Sequence, residues 1–156
     1  MRTRCLVLVV ALLTLPASGL TCPEDCQTGD PNLSADRIDF KLVTLHTATT
    51  GTVQIDGVVE NKGGSTFDSS AGQQLVQLWE GITLVAEQPF EDLAVGATVI
   101  ASFTREWDTS NEFPPTYRVV ILLDPDIFID ANPSNDECPT VDNTLERSGS
   151  EINLLF

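Results

Sequence analysis

The sequence predicts an all-β, immunoglobulin-like β-sandwich of about seven strands, in a single domain after a signal peptide. Three observations predict it. Apolar residues recur at every second position in several short stretches, which is the period of a strand with one buried face. Clusters of Gly, Pro, Asn and Asp separate these stretches, as turns require. No stretch sustains an apolar period of 3.6 residues, so almost no helix is expected.

The chain opens with Met1-Arg2-Thr3-Arg4, runs apolar from Cys5 to Leu15 and turns small at Pro16-Ala17-Ser18-Gly19. A positive start, a short hydrophobic run and small residues at Ala17 and Gly19 describe a secretory leader over 1–19. The run is too short to span a bilayer permanently. Cleavage after Gly19 leaves 137 of the 156 residues, and no second apolar segment follows, so the mature chain is expected to lack a transmembrane segment. Residues 20–36 form a cysteine-containing N-terminal arm, rich in Pro, Gly, Asp and Asn and held by cysteine rather than by packing. The sandwich itself is expected over 37–156.

Regular structure begins near Arg37. Ile38, Phe40 and Leu42 alternate, and the phase shift at Val43–Leu45 indicates a bulge. After a turn at Thr49-Thr50-Gly51, Val53, Ile55, Gly57 and Val59 face one way, while Thr52, Gln54, Asp56 and Glu60 face the other. Asn61-Lys62-Gly63-Gly64 ends this strand, where glycine supplies positive backbone angles. In Gln73–Glu80, Val76 and Leu78 point inward and Trp79 lies across an edge or rim. Gly81 turns the chain into an edge strand, Ile82–Phe90, closed by Pro89. Leu93–Gly96 crosses over, and Ala97–Trp107 sets Val99, Ala101, Phe103 and Trp107 on one face. Tyr117–Asp124 is the central strand. Tyr117, Val119, Ile121 and Leu123 face one way; Arg118, Val120, Leu122 and Asp124 face the other. Pro125 has no amide hydrogen for the ladder, so pairing stops there. Cys138–Ser150 reads as a polar connection, and Glu151–Phe156 as the last strand.

Charge excludes some partners. The formal net charge is −15, and loss of Arg2 and Arg4 with the leader makes it −17. The remaining basic residues are scattered singly, so no cluster exists to displace phosphate counterions from nucleic acid. Of the four cysteines, Cys5 leaves with the leader. Cys22, Cys26 and Cys138 remain as disulfide candidates, an odd number for an oxidising compartment. Cys22 could bridge Cys26, or Cys26 could tie the arm to Cys138. A lipid on Cys22 would leave the other two paired, although Gly19-Leu20-Thr21 matches a lipoprotein site poorly. A homodimer through the odd cysteine is the remaining outlet.

Four features in order resemble the CARDB family, the cell-adhesion-related domain found in bacteria. They are Val58-Val59-Glu60-Asn61-Lys62-Gly63, Val76-Gln77-Leu78-Trp79-Glu80-Gly81, Leu93-Ala94-Val95-Gly96, and Val119 to Asp136. In the last, Asp124 fills an aspartate position and Asp130 stands where glutamate is usual, followed by Asn132, Asn135 and Asp136. Asp136 in place of asparagine and the cysteine-bearing insertion at Cys138 are further departures. The resemblance covers roughly Arg37 to Asp136, most of a single domain. It implies a seven-stranded sandwich serving as an extracellular spacer or binding module, and it implies no catalysis.

The residues themselves offer little chemistry. His46 is the sole histidine, it falls at a strand end, and no Gly-x-Ser-x-Gly elbow accompanies it. Gly63-Gly64 reads as a hairpin turn rather than a phosphate cradle. Asp124, Asp126, Asp130, Asn132 and Asp136 offer the hard oxygen ligands that calcium takes. An EF-hand register from Asp130 fails, because Asn135 occupies the glycine position and Val141 the twelfth. The competing reading is a loop whose Asx side chains bond their own backbone.

The expected function is therefore an exported, non-enzymatic adhesion, interaction or spacer module of the cell envelope or extracellular space, with a protein or glycan partner. A carbohydrate-binding or accessory role beside an extracellular enzyme is the alternative. It would need an aromatic platform from Trp79, Trp107 and Tyr117. An outer-membrane barrel is a third reading, from the alternation of Ile152, Leu154 and Phe156, but Gln54, Asp56 and Glu60 share one side and are too polar to face lipid.

Overall fold

The computed structural model describes residues 29–111 and 113–156. The leader, Cys22 and Cys26 lie outside the described residues. Seven strands follow in order: β1 (Leu33–Leu45), β2 (Thr50–Asn61), β3 (Gln74–Glu80), β4 (Thr83–Pro89), β5 (Thr98–Asp108), β6 (Thr116–Leu123) and β7 (Thr144–Ser148). A 3₁₀ helix, Gly149–Leu155, ends the chain. The strands form two antiparallel sheets, β1-β2-β5 and β4-β3-β6-β7. Labelled A to G in immunoglobulin fashion these are ABE and C′CFG, so the fold is an immunoglobulin-like sandwich whose fourth strand pairs with the third rather than with the fifth.

Alternation decides which side chains meet between the sheets. Val53, Ile55, Val59, Ala101 and Trp107 from one sheet pack against Val76, Leu78, Tyr117, Val119 and Ile121 from the other. Gly57 lies opposite this second set. A Cβ there would sit 3.0 Å from the Val119 side chain, so glycine lets the two layers approach. The isolated bridge between Phe67 and Leu93 covers one end of the core. The bulge near Val43 is present as a register shift between Leu42 and Thr44, and β4 is an edge strand.

Several expectations need correction. β1 starts at Leu33, and Leu33, Ser34 and Ala35 are buried, so the end of the expected arm is packed into the core. Glu151–Phe156 is not a strand. Ile152 is buried, Leu155 and Phe156 pack on the core, and Leu154 is 85% exposed. Apolar positions 152, 155 and 156 thus follow a helical spacing, which alternation of 152, 154 and 156 concealed. This removes the observation behind the barrel reading. The seventh strand is instead Thr144–Ser148, paired with β6. It was missed because only Leu145 in it is apolar. An edge strand needs little more, and Arg147 completes its inner face by lying 4.6 Å from the Phe40 ring centroid and bonding Glu151. Trp79 lies on neither rim, since β3 is flanked by β4 and β6.

Gly63 serves close approach rather than a positive backbone angle. A Cβ there would collide with the backbone of Asp30, Pro31 and Asn32. Gly63→Ala is therefore expected to displace the entering segment, seen as faster proteolytic cutting before Leu33 while the core strands stay resistant.

Candidate functional site

The two outer faces of the sandwich differ in chemistry. On β1-β2-β5 two adjacent outward rows are polar, Asp39, Asp56 and Ser102, then Lys41, Gln54 and Thr104, while the row Arg37, Val58 and Ile100 leaves Ile100 as a lone exposed apolar side chain. Ser102 donates to Asp56 at 2.6 Å and Gln54 donates to Asp56 at 2.9 Å, so the polar groups around Asp56 satisfy one another. On β4-β3-β6-β7 the outward rows are Pro89, Leu75 and Leu122; then Glu87, Gln77, Val120 and Thr144; then Leu84, Trp79, Arg118 and Glu146. Leu75, Trp79, Leu84, Val120 and Leu122 make a band of apolar side chains that belongs to no core cluster. Leu84 is 37% and Leu122 42% exposed.

The Trp79 ring is committed within this band. Arg118 places its guanidinium 5.5 Å from the ring centroid, and the indole N–H donates to Gln77 at 3.1 Å. The other two aromatics named for a sugar platform face inward. Trp107 is 3% exposed, with its indole N–H on Asn153 at 2.8 Å, and Tyr117 is fully buried. The three do not form a platform.

His46 follows the end of β1 and lines an open cleft of about 490 Å³ with Thr50, Glu106 and Asp108. Its Nε2 lies 3.1 Å from both Thr52 Oγ1 and Glu106 Oε2. The Thr52 hydroxyl, however, donates to Glu106 Oε1 at 2.7 Å. Its proton therefore goes to a carboxylate open to water, not to the imidazole, and His46 does not activate it as a base would.

The Asx loop after β6 brings part of the expected calcium set together. Asp130 accepts from the Asn132 amide at 2.7 Å, from Asn135 Nδ2 at 2.9 Å and from Gln73 at 3.4 Å. These bonds, Asn135 first, hold its carboxyl below the usual range. Asp124 accepts from the Asp126 amide at 3.3 Å, and the Asp124 side chain pushes the Asp126 carboxyl upward. Asn132 donates to the Asp68 carbonyl at 2.9 Å and accepts from the Ser134 amide at 3.1 Å. Ala131 takes a left-handed φ of 66° to close the loop. Asp136 is raised by burial, then by Asp130 and Asp30. Among the described residues, no group of three or more His, Cys, Asp or Glu side chains is gathered to hold a metal ion.

A second feature of this pole had no sequence signal. The segment entering β1 docks between the end of β2 and the stretch after the Asx loop. The Cys138 amide donates to the Pro31 carbonyl at 3.1 Å, Lys62 N to the Asn32 carbonyl at 2.7 Å, and Ala35 N to the Asp142 carbonyl at 2.8 Å. Asp36 is ion-paired with Lys62 at 2.6 Å, which chiefly holds its carboxyl below the usual range. Residues far apart in sequence meet here, so no local pattern could announce them.

No protein-family model matches the chain, and no curated protein matches it. Solved structures do. A CARDB domain from Pyrococcus furiosus, solved by NMR, is 14% identical over 76% of this chain and 93% of its own, with a TM-score of 0.41. A crystal structure of a Pyrococcus furiosus CARDB domain in complex with di-metal ions gives 16%, 80%, 90% and 0.42. A domain of a Methanosarcina acetivorans protein described as a cell surface protein gives 21%, 77%, 90% and 0.42. Among the described residues, no helix is long and apolar enough to cross a membrane.

Proposed function

We propose that the protein is an exported, non-enzymatic interaction or spacer module of the cell envelope or extracellular space, and that it meets its partner through the outer face of β4-β3-β6-β7. The observation that carries this reading is the apolar band on that face, set against polar rows and a lone exposed Ile100 on the other sheet. Apolar side chains ranked together outside the core are a feature of surfaces that meet a partner. Cys138 lies beside Pro31, near the end of the arm, so a disulfide from Cys26 or Cys22 to Cys138 is part of the proposal. A lipid on Cys22 or a dimer through the third cysteine are outcomes that intact mass, with and without reduction, distinguishes.

Export is tested by fractionating cells, with the mature N-terminus read by mass. The surface is tested by a double variant, Leu84→Lys with Leu122→Asp. Both side chains are exposed, so stability should change by less than about 1 kcal/mol. Capture of envelope protein or glycan should be lost. Capture that survives this variant but fails after Lys41→Glu with Thr104→Glu would move the surface to the other sheet and overturn the assignment.

A further inference from the structure

The pole where the entering segment meets the stretch after the Asx loop carries buried oxygens with no donor. Asn32 Oδ1, Asn135 Oδ1, Asp142 Oδ1 and Asn143 Oδ1 are each sealed from solvent and accept no hydrogen bond from another residue. Asn135 as a whole is 0% exposed. Unsatisfied buried polar atoms are rare, and several in one region call for a ligand.

The amide orientations are set by neighbouring carboxylates. Asn135 gives its Nδ2 to Asp130 at 2.9 Å, and Asn143 gives its Nδ2 to Glu137 at 2.8 Å. Turning either amide over would set oxygen against carboxylate oxygen, so both Oδ1 atoms are held pointing away from their carboxylates. The local cation, Lys62, pairs with Asp36 and acts at longer range on Asp142.

We propose that this junction binds a calcium-type divalent cation through the side-chain oxygens of Asn32, Asn135, Asp142 and Asn143. Cys138 N to the Pro31 carbonyl and Ala35 N to the Asp142 carbonyl lay the segment that carries Asn32 along the stretch that carries Asn135, Asp142 and Asn143. Water is the competing occupant, but one water donates only two hydrogens, whereas calcium takes about six to eight oxygens, asparagine carbonyls included. The buried Glu137 carboxylate and Asp142 supply charge. The site differs from the acidic loop expected from sequence, sharing neither Asp124 nor Asp126. Its occupation would fasten the entering segment to the last third of the domain, beside Cys138.

The test uses the mature protein stripped with chelator and titrated with calcium chloride, against sodium chloride of equal ionic strength. Tm and binding heat are both read. A dissociation constant near the extracellular range of about 10⁻⁴–10⁻³ M and a Tm rise of several degrees at millimolar calcium are expected. Asp142→Asn, which keeps shape and the backbone contact, should weaken binding about tenfold or more. Asn32→Ser should also weaken it, and serves if the first variant does not fold. Asp124→Asn with Asp126→Asn should leave it unchanged. No calcium-specific heat or Tm rise in the parent protein overturns the proposal, leaving water as the occupant. Binding unaltered in both Asp142→Asn and Asn32→Ser overturns it equally. So does binding lost only in the Asp124 and Asp126 variant, which would put the ion in the preceding loop.

Discussion

Replacing Asn61 with aspartate should lower the free energy of unfolding by about 3–5 kcal/mol at neutral pH. Asn61 is fully buried and uses its whole bonding capacity. Its Nδ2 donates to the Ser65 carbonyl at 2.9 Å and the Leu93 carbonyl at 2.8 Å. Its Oδ1 accepts from Gly63 N at 3.0 Å and Asn32 N at 3.3 Å. One side chain thus ties the end of β2, the following turn, the Phe67–Leu93 bridge and the segment entering β1. A carboxylate in the same place keeps the two accepted bonds but turns an acceptor toward two carbonyl oxygens. The introduced carboxyl relieves this only by taking a proton, so its pKa is raised in the folded state. A raised folded pKa means that the deficit shrinks as pH falls through that value and is full at pH 7. Urea unfolding of variant and parent at pH 7 and about pH 4.5 measures both parts. A deficit below about 1 kcal/mol, or one equal at the two pH values, would show that the hub does not work this way.

Asn61 also shows what sequence could and could not disclose. As part of Asn61-Lys62-Gly63-Gly64 it was legible as a strand terminator, because Asn and Gly report local backbone demands. Its role as a hub was not legible, since Ser65, Leu93 and Asn32 reach it from separate segments. The same division runs through the molecule. Val53, Ile55, Gly57 and Val59 disclosed the buried face of β2, and Tyr117 to Leu123 that of β6, because strand period and burial coincide there. β7 was hidden because a half-covered edge strand needs only Leu145 and an arginine stem. The apolar band on β4-β3-β6-β7 was only half visible. Trp79 stood out, but its neighbours Leu84 and Leu122 come from other strands and depend on register. The sealed oxygens of Asn32, Asn135, Asp142 and Asn143 were hidden for a different reason. Their orientation is imposed by carboxylates and packing, which composition does not encode.

Tyr117 should give the protein an alkaline limit that a single substitution removes. In immunoglobulin-type domains a tyrosine near the start of strand F bonds back to nearby backbone; here the start of β6 carries Tyr117, whose hydroxyl donates instead across to Glu80 on β3 at 2.9 Å. Its ring is fully buried, edge-on to Phe40 with centroids 5.6 Å apart. Burial pushes the phenol up to about 12, against a smaller opposing pull from Arg105, which itself pairs with Glu80. With the folded pKa raised, the contribution is complete below pH 10 and is lost as pH rises from about 10 to about 12. Two pKa units correspond to about 2.7 kcal/mol. Tyr117→Phe should cost about 1 kcal/mol at pH 7, since Glu80 keeps Arg105 while losing one donor. That variant has nothing to ionise, so its stability should fall less steeply, and the two curves should cross between about pH 10.5 and 11.5. Tyr117 is the sole tyrosine of the chain, so tyrosinate absorbance reports it without interference. A folded-state midpoint near 10, or stability curves that stay parallel to pH 11.5, would mean that the hydroxyl is reached by water and that the bond to Glu80 does not seal this end of the sandwich.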